Sequence, residues 1–224
     1  MSRITFLGAS AMSLSMLFEL ILDQHAHAKV EIINNSDSAL DDPFLPEGME
    51  VPIIKAENWS PTSEEIYLLG VNLPKTKKIV FEYFHRQFDI SPQNYGQLIH
   101  SSSIFGRTSQ SGPGLVMHPL SVVSAQTQLG KMVSLNRGTT VGHHTRIGDY
   151  CTLHPAANVA GRCRIGSGVT LGMGANVIDG IHIGSGTFVG AGAVVTRNLP
   201  PGVVAYGQPA KVIKEIDNNP FHGT

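Results

Sequence analysis

From Val123 to Val195 an aliphatic residue returns at every sixth position without a miss, through Leu129, Leu135, Val141, Ile147, Leu153 and on to Val189. A period of six fits neither the two-residue alternation of a strand nor the 3.6-residue turn of a helix, so the segment is a repeat in which each unit makes one short side. Four residues after each aliphatic position comes a second series, including Thr139, Thr145, Cys151, Ala157 and Cys163, mostly small or β-branched. Both series describe one interior. Gly follows the aliphatic residue at Gly130, Gly142, Gly148, Gly166, Gly172, Gly184 and Gly190, where the missing Cβ allows a tight corner between flat strands. Three six-residue sides predict a triangular coil, with successive coils stacked at the β-ladder spacing of about 4.8 Å.

This order of aliphatic residue, Gly, two free positions and a small residue resembles the hexapeptide-repeat, left-handed parallel β-helix. The left hand comes from that resemblance, since crossovers in sheets are ordinarily right-handed.

Upstream the pattern differs. Arg3 to Leu7 reads as a buried strand, Gly8 to Ser10 as a turn, and Ala11 to Gln24 as a helix with Leu14, Leu17, Phe18 and Ile21 on one side. Val30 to Ile33 suggests a second strand, Asn34 to Pro46 a polar loop, and Glu65 to Leu69 another strand. Pro74 then opens a helix to about Gln87. Alternation of this kind predicts a small Rossmann-like α/β domain with its ligand crevice beyond the carboxyl ends of the strands. The expected fold is therefore an α/β N-terminal domain over residues 1–97, a left-handed parallel β-helix of hexapeptide repeats over 98–214, and a polar tail over 215–224. Leu98-Ile99-His100 enters an irregular first coil, Ser109 to Gly114 reads as a corner or loop, and Asn198 to Gly202 turns the chain where the cadence ends.

A formal charge of −1, with no long Lys/Arg run, gives little support to a nucleic-acid surface or a polybasic membrane patch. The apolar start from Ile4 to Leu7 is too short for a secretory signal, and Leu14 to Leu22 is interrupted by Ser15 and Glu19, so the expected compartment is the cytoplasm. Cys151 and Cys163 fall in the inward series and read as buried thiols.

The residue with the strongest claim to chemistry is His143. It stands third in its hexad, just after Gly142, and so projects from the coil surface. Gly161 comes one coil later and leaves space beside it. An imidazole there can take a proton near neutrality. In the α/β domain, Gly8, Ala9 and Ser10 are candidates to receive a phosphate at a turn and helix start, and Asn35 and Asn72 follow strands. Gly8-Ala9-Ser10-Ala11-Met12 lacks the second and third glycines of a dinucleotide fingerprint, so a plain strand-to-helix turn remains open.

The run from Asn136-Arg137-Gly138 through Val141-Gly142-His143-His144 to Gly148-Asp149-Tyr150, with Gly172-Met173-Gly174-Ala175, Gly190-Ala191-Gly192-Ala193 and Gly207-Gln208-Pro209-Ala210-Lys211, resembles the bacterial sugar O- and N-acetyltransferases. These include the sialic-acid O-acetyltransferases and the bacillosamine-pathway N-acetyltransferase. The resemblance implies acetyl-CoA as acyl donor, no metal, a nucleotide-linked or related sugar as acceptor, and a homotrimer with active sites between subunits. It implies His143 as general base and the Gly161 backbone as oxyanion donor. Gly172, Met173, Gly190 and Ala191 would line the acetyl-CoA track, and Lys211 would neutralise a CoA phosphate.

Two positions depart from the family. The acidic neighbour of the base is His144 here, leaving Asp149 as the nearby carboxylate. The family's second histidine is replaced by Thr152, with His154 two positions on; both are substrate-contact candidates. Neither amine nor hydroxyl acceptance is specified. Two other readings stay open: a non-enzymatic sugar-nucleotide-binding protein, and a gamma-type carbonic anhydrase-like zinc enzyme. The latter would use His118 and His154, two coils apart, but Val159 stands where its third histidine would be.

Overall fold

The computed structural model describes residues 3–36, 45–46, 48–62 and 65–221. Most of the expected Asn34 to Pro46 loop, and the last three residues of the expected tail, lie outside the described residues. The chain divides into two compact units, Met1–Leu98 and Ile99–Thr224.

In the first unit, β1 (Arg3–Leu7), β2 (Lys29–Asn34), β3 (Ile53–Lys55) and β4 (Glu65–Leu69) form a parallel sheet in the order β3-β2-β1-β4. Helix α1 (Ala11–Gln24) provides the crossover from β1 to β2, and α2 (Pro74–Phe88) follows β4. Leu14, Leu17, Phe18 and Ile21 of α1 are buried, as their spacing predicts. On α2, Pro74 sits in the first turn, where its missing N–H costs nothing. One polar cluster is buried in the sheet. Glu31 is 3% exposed, and its carboxylate is satisfied by Arg3, the Thr5 hydroxyl and the Trp59 indole N–H. The short β3 escapes the sequence pattern, being only three residues long.

The second unit is a left-handed parallel β-helix of two-residue strands. Strands eighteen residues apart pair in parallel, as in Thr140↔Asn158↔Asn176 and Arg146↔Arg164↔His182. Three flat faces result. Face I carries Val116–Met117 and its successors to Phe188–Val189, face II runs from Ile104–Phe105 to Val194–Val195, and face III from Gln110–Ser111 to His182–Ile183. The predicted inward series fill the interior: Leu135, Leu153, Leu171 and Val189 are fully buried, as are Thr139, Thr145, Cys151, Ala157, Cys163 and Ala193. Burial of each large aliphatic side chain contributes about 1.5–3 kcal/mol.

Corners follow two distinct rules. The residue just after the aliphatic position lies against the coil below, so a Cβ on Gly142 would stand 2.5 Å from the Ala160 carbonyl carbon. Two positions further on, the backbone turns left-handed. Glycine supplies this at Gly174 and Gly192, whereas His144, Tyr150, Ala156 and Arg162 adopt it at φ of 57 to 61°.

Three expectations change. Ser109 to Gly114 already contains a face III strand, Gln110–Ser111, so regular coils begin before the hexad becomes visible. After the last coil the chain forms an antiparallel hairpin of Val203–Gly207 and Ala210–Glu215. The expected polar tail is held in place across its described part. Glu215 belongs to that hairpin, Asn219 donates to the Ser185 carbonyl, and Phe221 is 3% exposed against Tyr150.

Candidate active site

His143 stands on the corner between faces II and III and is exposed. The ladder holds its backbone: Gly142 N–H donates to Val159 O, and His143 O accepts from Arg162 N–H at 2.8 Å. The ring lies over Gly161, where a Cβ would come within 2.7 Å of Cε1 and 2.8 Å of Nε2. Glycine at this position is therefore the condition for the ring to occupy its place. Gly161 carbonyl oxygen accepts from Gly180 N–H, while its own N–H donates to no acceptor among the described residues.

On its other side, His143 Nδ1 is 3.0 Å from His144 Nδ1, with the two rings nearly perpendicular. One nitrogen must donate and the other accept. If His143 donates, its Nε2 carries the lone pair on the Gly161 side. His144 thus stands beside the ring where the resemblance expects an acid, and Asp149 stands elsewhere. Asp149 is six residues further along, hence on the next corner, where its Oδ1 accepts from Lys131 N–H at 3.0 Å and its Oδ2 lies 3.9 Å from Lys131 Nζ. Counting along the sequence brought Asp149 near His143; the triangular coil separates them.

The expected acetyl-CoA track lies in register on the corner between faces I and II. Gly172 and Gly190 are buried, and their N–H groups are spent on Val189 O and Ala205 O. Tyr206 covers Gly190, filling the space that a Cβ would need. The exposed members are Met173, at 58%, and Ala191, whose N–H groups have no acceptor among the described residues. The free amides thus belong to Met173 and Ala191, with the glycines behind them as structure. Lys211 is exposed on the terminal hairpin, paired with Tyr206, and Gln208 Nε2 ties the hairpin tip to Gly192 O at 2.7 Å.

His154 sits directly over Gly172 on this corner and is half-buried, whereas Thr152 is fully buried and presents no surface to a ligand. His118 and His154 lie on this corner two coils apart, and Val159 stands where the zinc reading needs its third histidine. Among the described residues, no group of three or more His, Cys, Asp or Glu converges as a metal site.

In the α/β unit, Gly8, Ala9, Ser10, Asn35 and Asn72 all follow carboxyl ends of parallel strands. Gly8 turns left-handed at φ 72°, with Asn35 Oδ1 beside it. The Gly8 and Ser10 amides are already donated to Ile33 O and Gly70 O, so the Ala9 amide and the first-turn amides of α1 are the donors left for an anion among the described residues. Lys55, at the end of β3, adds a cation to this crest and donates to Ser36 O at 2.7 Å. Sequence reading missed it because β3 was not recognised. A cavity lined by Arg3, His27, Lys29, Glu31 and Met49 opens at the opposite, amino ends of β1 and β2. No described helix is long and apolar enough to cross a membrane.

Residues 162–197 match the bacterial transferase hexapeptide (six repeats) family, and the β-helix is built of repeats of that type. Three solved structures share the fold across nearly the whole chain. The acetyltransferase domain of PglB from Neisseria gonorrhoeae, in complex with acetyl coenzyme A, superposes with a TM-score of 0.73 at 24% identity, covering 94% of this chain and 98% of its own. PerB from Caulobacter crescentus, in complex with CoA and GDP-perosamine, gives 0.75 at 24% identity, over 96% and 98%. WeeI from Acinetobacter baumannii gives 0.78 at 21% identity, over 95% and 100%. No curated protein sequence matches this chain.

Proposed function

We propose that this protein is an acetyl-CoA-dependent acetyltransferase acting on a nucleotide-linked sugar, with His143 as general base. The observation that carries this reading is the exposed His143 imidazole over bare Gly161, beside a backbone N–H that has no acceptor among the described residues. A base and an oxyanion donor at one point are the two groups acyl transfer requires. The acceptor nucleophile gives its proton to His143 Nε2 as it attacks the thioester carbon, and the developing oxyanion takes the Gly161 N–H. His144 holds the base through Nδ1. The fold's likeness to PglB with acetyl-CoA and to PerB with CoA and GDP-perosamine supports the choice of donor and acceptor class.

Within one chain, His143 and the Met173–Ala191 track occupy the two corners that bound face II. A complete site therefore brings one copy's His143 corner to another copy's track, and a homotrimer with three shared sites meets that need. Met173 and Ala191 amides would bind the pantetheine, and Lys211 the CoA phosphates. The α/β crest, with the start of α1 and Lys55, would hold the nucleotide diphosphate. The chain would work in the cytoplasm.

Incubation with acetyl-CoA and a panel of nucleotide-linked sugars, read by mass spectrometry, tests the proposal. One acetyl group should be gained, and His143→Ala should abolish the gain while CoA binding persists. Full activity in His143→Ala would remove the base. Sugar-nucleotide binding with neither CoA binding nor turnover would make the protein a binding module.

A further inference from the structure

The corner that carries His143 holds a third residue in the same register. His143, Gly161 and Asp179 follow one another at eighteen-residue intervals, and the rungs Arg162 N–H to His143 O and Gly180 N–H to Gly161 O align their coils. The point where a Gly161 Cβ would stand lies 2.8 Å from His143 Nε2 and 3.1 Å from Asp179 Oδ1. His143 Nε2 and Asp179 Oδ1 thus flank a notch that opens outward from the Gly161 Cα, beyond the space closed to a Cβ, and stand close enough together for one ligand nitrogen to reach both. Arg162 holds that carboxylate: its Nε and Nη2 both donate to Oδ2, at 3.2 and 2.6 Å. Oδ1 is left facing the notch and accepts no hydrogen bond among the described residues. Asp149 shows the alternative, since its Oδ1 caps the amide of Lys131 one coil above. Asp179, drawn by Arg162, leaves the equivalent Gly161 amide uncapped.

We propose that Asp179 selects an amine as acceptor by binding it as the ammonium ion in the notch over Gly161. The inference rests on the acetyltransferase reading and extends it to the atom acylated. A sugar amine is protonated near neutrality, and a carboxylate makes with it a charge-assisted hydrogen bond of about twice the strength of a neutral one. A sugar hydroxyl offers no such charge. In the reaction the ammonium first loses one proton to water. The amine nitrogen then forms its bond to the thioester carbon while His143 Nε2 takes the second proton. The carbon–sulfur bond breaks, and His143 passes that proton to the leaving thiolate. Each turnover yields one N-acetyl group, one CoA thiol and one released proton. Asp179 takes no part in bond making; it places the nitrogen.

The test is acetyl transfer to UDP-, GDP- and dTDP-linked amino sugars beside the matched sugars bearing a hydroxyl at the same carbon. The wild type should use an amine and leave its hydroxyl partner largely unmodified. Asp179→Asn should raise KM for the amine by roughly tenfold or more, with a smaller change in kcat, as expected for loss of a charged binding contact. Asp179→Glu should restore much of the affinity, and Arg162→Gln should keep the amine preference. Preference of the wild type for hydroxyls, an unchanged amine KM in Asp179→Asn, or full reproduction of its effect by Arg162→Gln would each overturn the assignment while leaving the acetyltransferase reading intact. No turnover of any acceptor by CoA-binding wild type would overturn both.

Discussion

His143 packs its imidazole over the bare Cα of Gly161, the residue one full coil along the chain, so closely that no side chain fits between them. The contact makes a glycine answerable for the position of the imidazole. Gly161 has no left-handed backbone requirement, so its identity is set by this contact.

Gly161→Ala should therefore fold and bind CoA but displace the ring. A Cβ at 2.7 Å from Cε1 forces a shift of several tenths of an ångström or a change of rotamer. Misplacement on the scale of 1 Å costs about 100-fold in rate. Steady-state kinetics should show a fall in kcat approaching that size, with a melting temperature close to wild type. Wild-type kcat in this variant would show that the packing has no part in catalysis.

His144 holds the other side of the same ring through the 3.0 Å contact between the two Nδ1 atoms. His144→Ala removes the hydrogen bond that selects the tautomer of His143, and kcat should fall by about 10- to 100-fold, with KM for acetyl-CoA little changed. His144→Asp should recover most of the rate. Aspartate tolerates the left-handed φ of 57° at this corner and supplies an acceptor. Equal loss in both variants would assign His144 to the turn rather than to the base.

Burial raises the Cys163 thiol pKa above its usual value of 9.0; nearby Asp179 adds a smaller upward push. A folded-state pKa above the unfolded one means that the native state holds its proton more tightly. The stability contribution is complete below pH 9 and is lost progressively as pH rises from there towards the folded-state pKa. Denaturant midpoints should accordingly drop above pH 9, and Cys163→Ser should flatten part of that decline. At neutral pH the native thiol should resist alkylation. Rapid labelling of native protein at pH 7 would contradict its burial.

Phe221 should anchor the C-terminal segment. Its ring fills the space above Gly168 and meets Tyr150 at a centroid distance of 6.1 Å. Phe221→Ala should cost about 3 kcal/mol, measured as a shift of the chemical denaturation midpoint. A change below about 0.5 kcal/mol, the range of ordinary surface substitutions, would show that the segment is dispensable.

Those last two cases mark where the sequence was legible. Cys163 could be placed inside because the hexad is strict and interior positions follow from counting. The two parallel βα elements were likewise legible from helical spacing, Gly8 and Pro74. Phe221 belongs to no repeat, and one aromatic in a polar tail carries no periodic signal of what it covers. At the site, His143 and Gly161 were readable as residues one coil apart. Asp179 carries no local signal, because it lies two coils from His143 along the chain and meets it only through the stacking of the corner. In a triangular coil, eighteen residues means adjacency and six means a different corner, which is why Asp149 failed as a partner. The amides of Met173 and Ala191, without an acceptor among the described residues, depended on the full ladder, since each neighbouring glycine gives its N–H to the next coil.

The separation of His143 and the Met173–Ala191 track on two corners gives the shared-site proposal its sharpest test. Light scattering should give about 72 kDa, three times the 24.0 kDa chain. His143→Ala removes the proposed base from one side of every site, and Ala191→Glu blocks the proposed track on the other with a charged side chain. Each homotrimer should be inactive. In randomly mixed trimers about a quarter of the sites pair an intact His143 with an intact neighbouring track, so activity should return to roughly that fraction of wild type. A site built wholly within one chain has no such route to recovery, because every chain in the mixture carries one of the two lesions. Complete absence of activity after verified subunit exchange would therefore place base and donor track in a single protomer, while a monomer retaining full transfer would remove the assembly from the mechanism altogether.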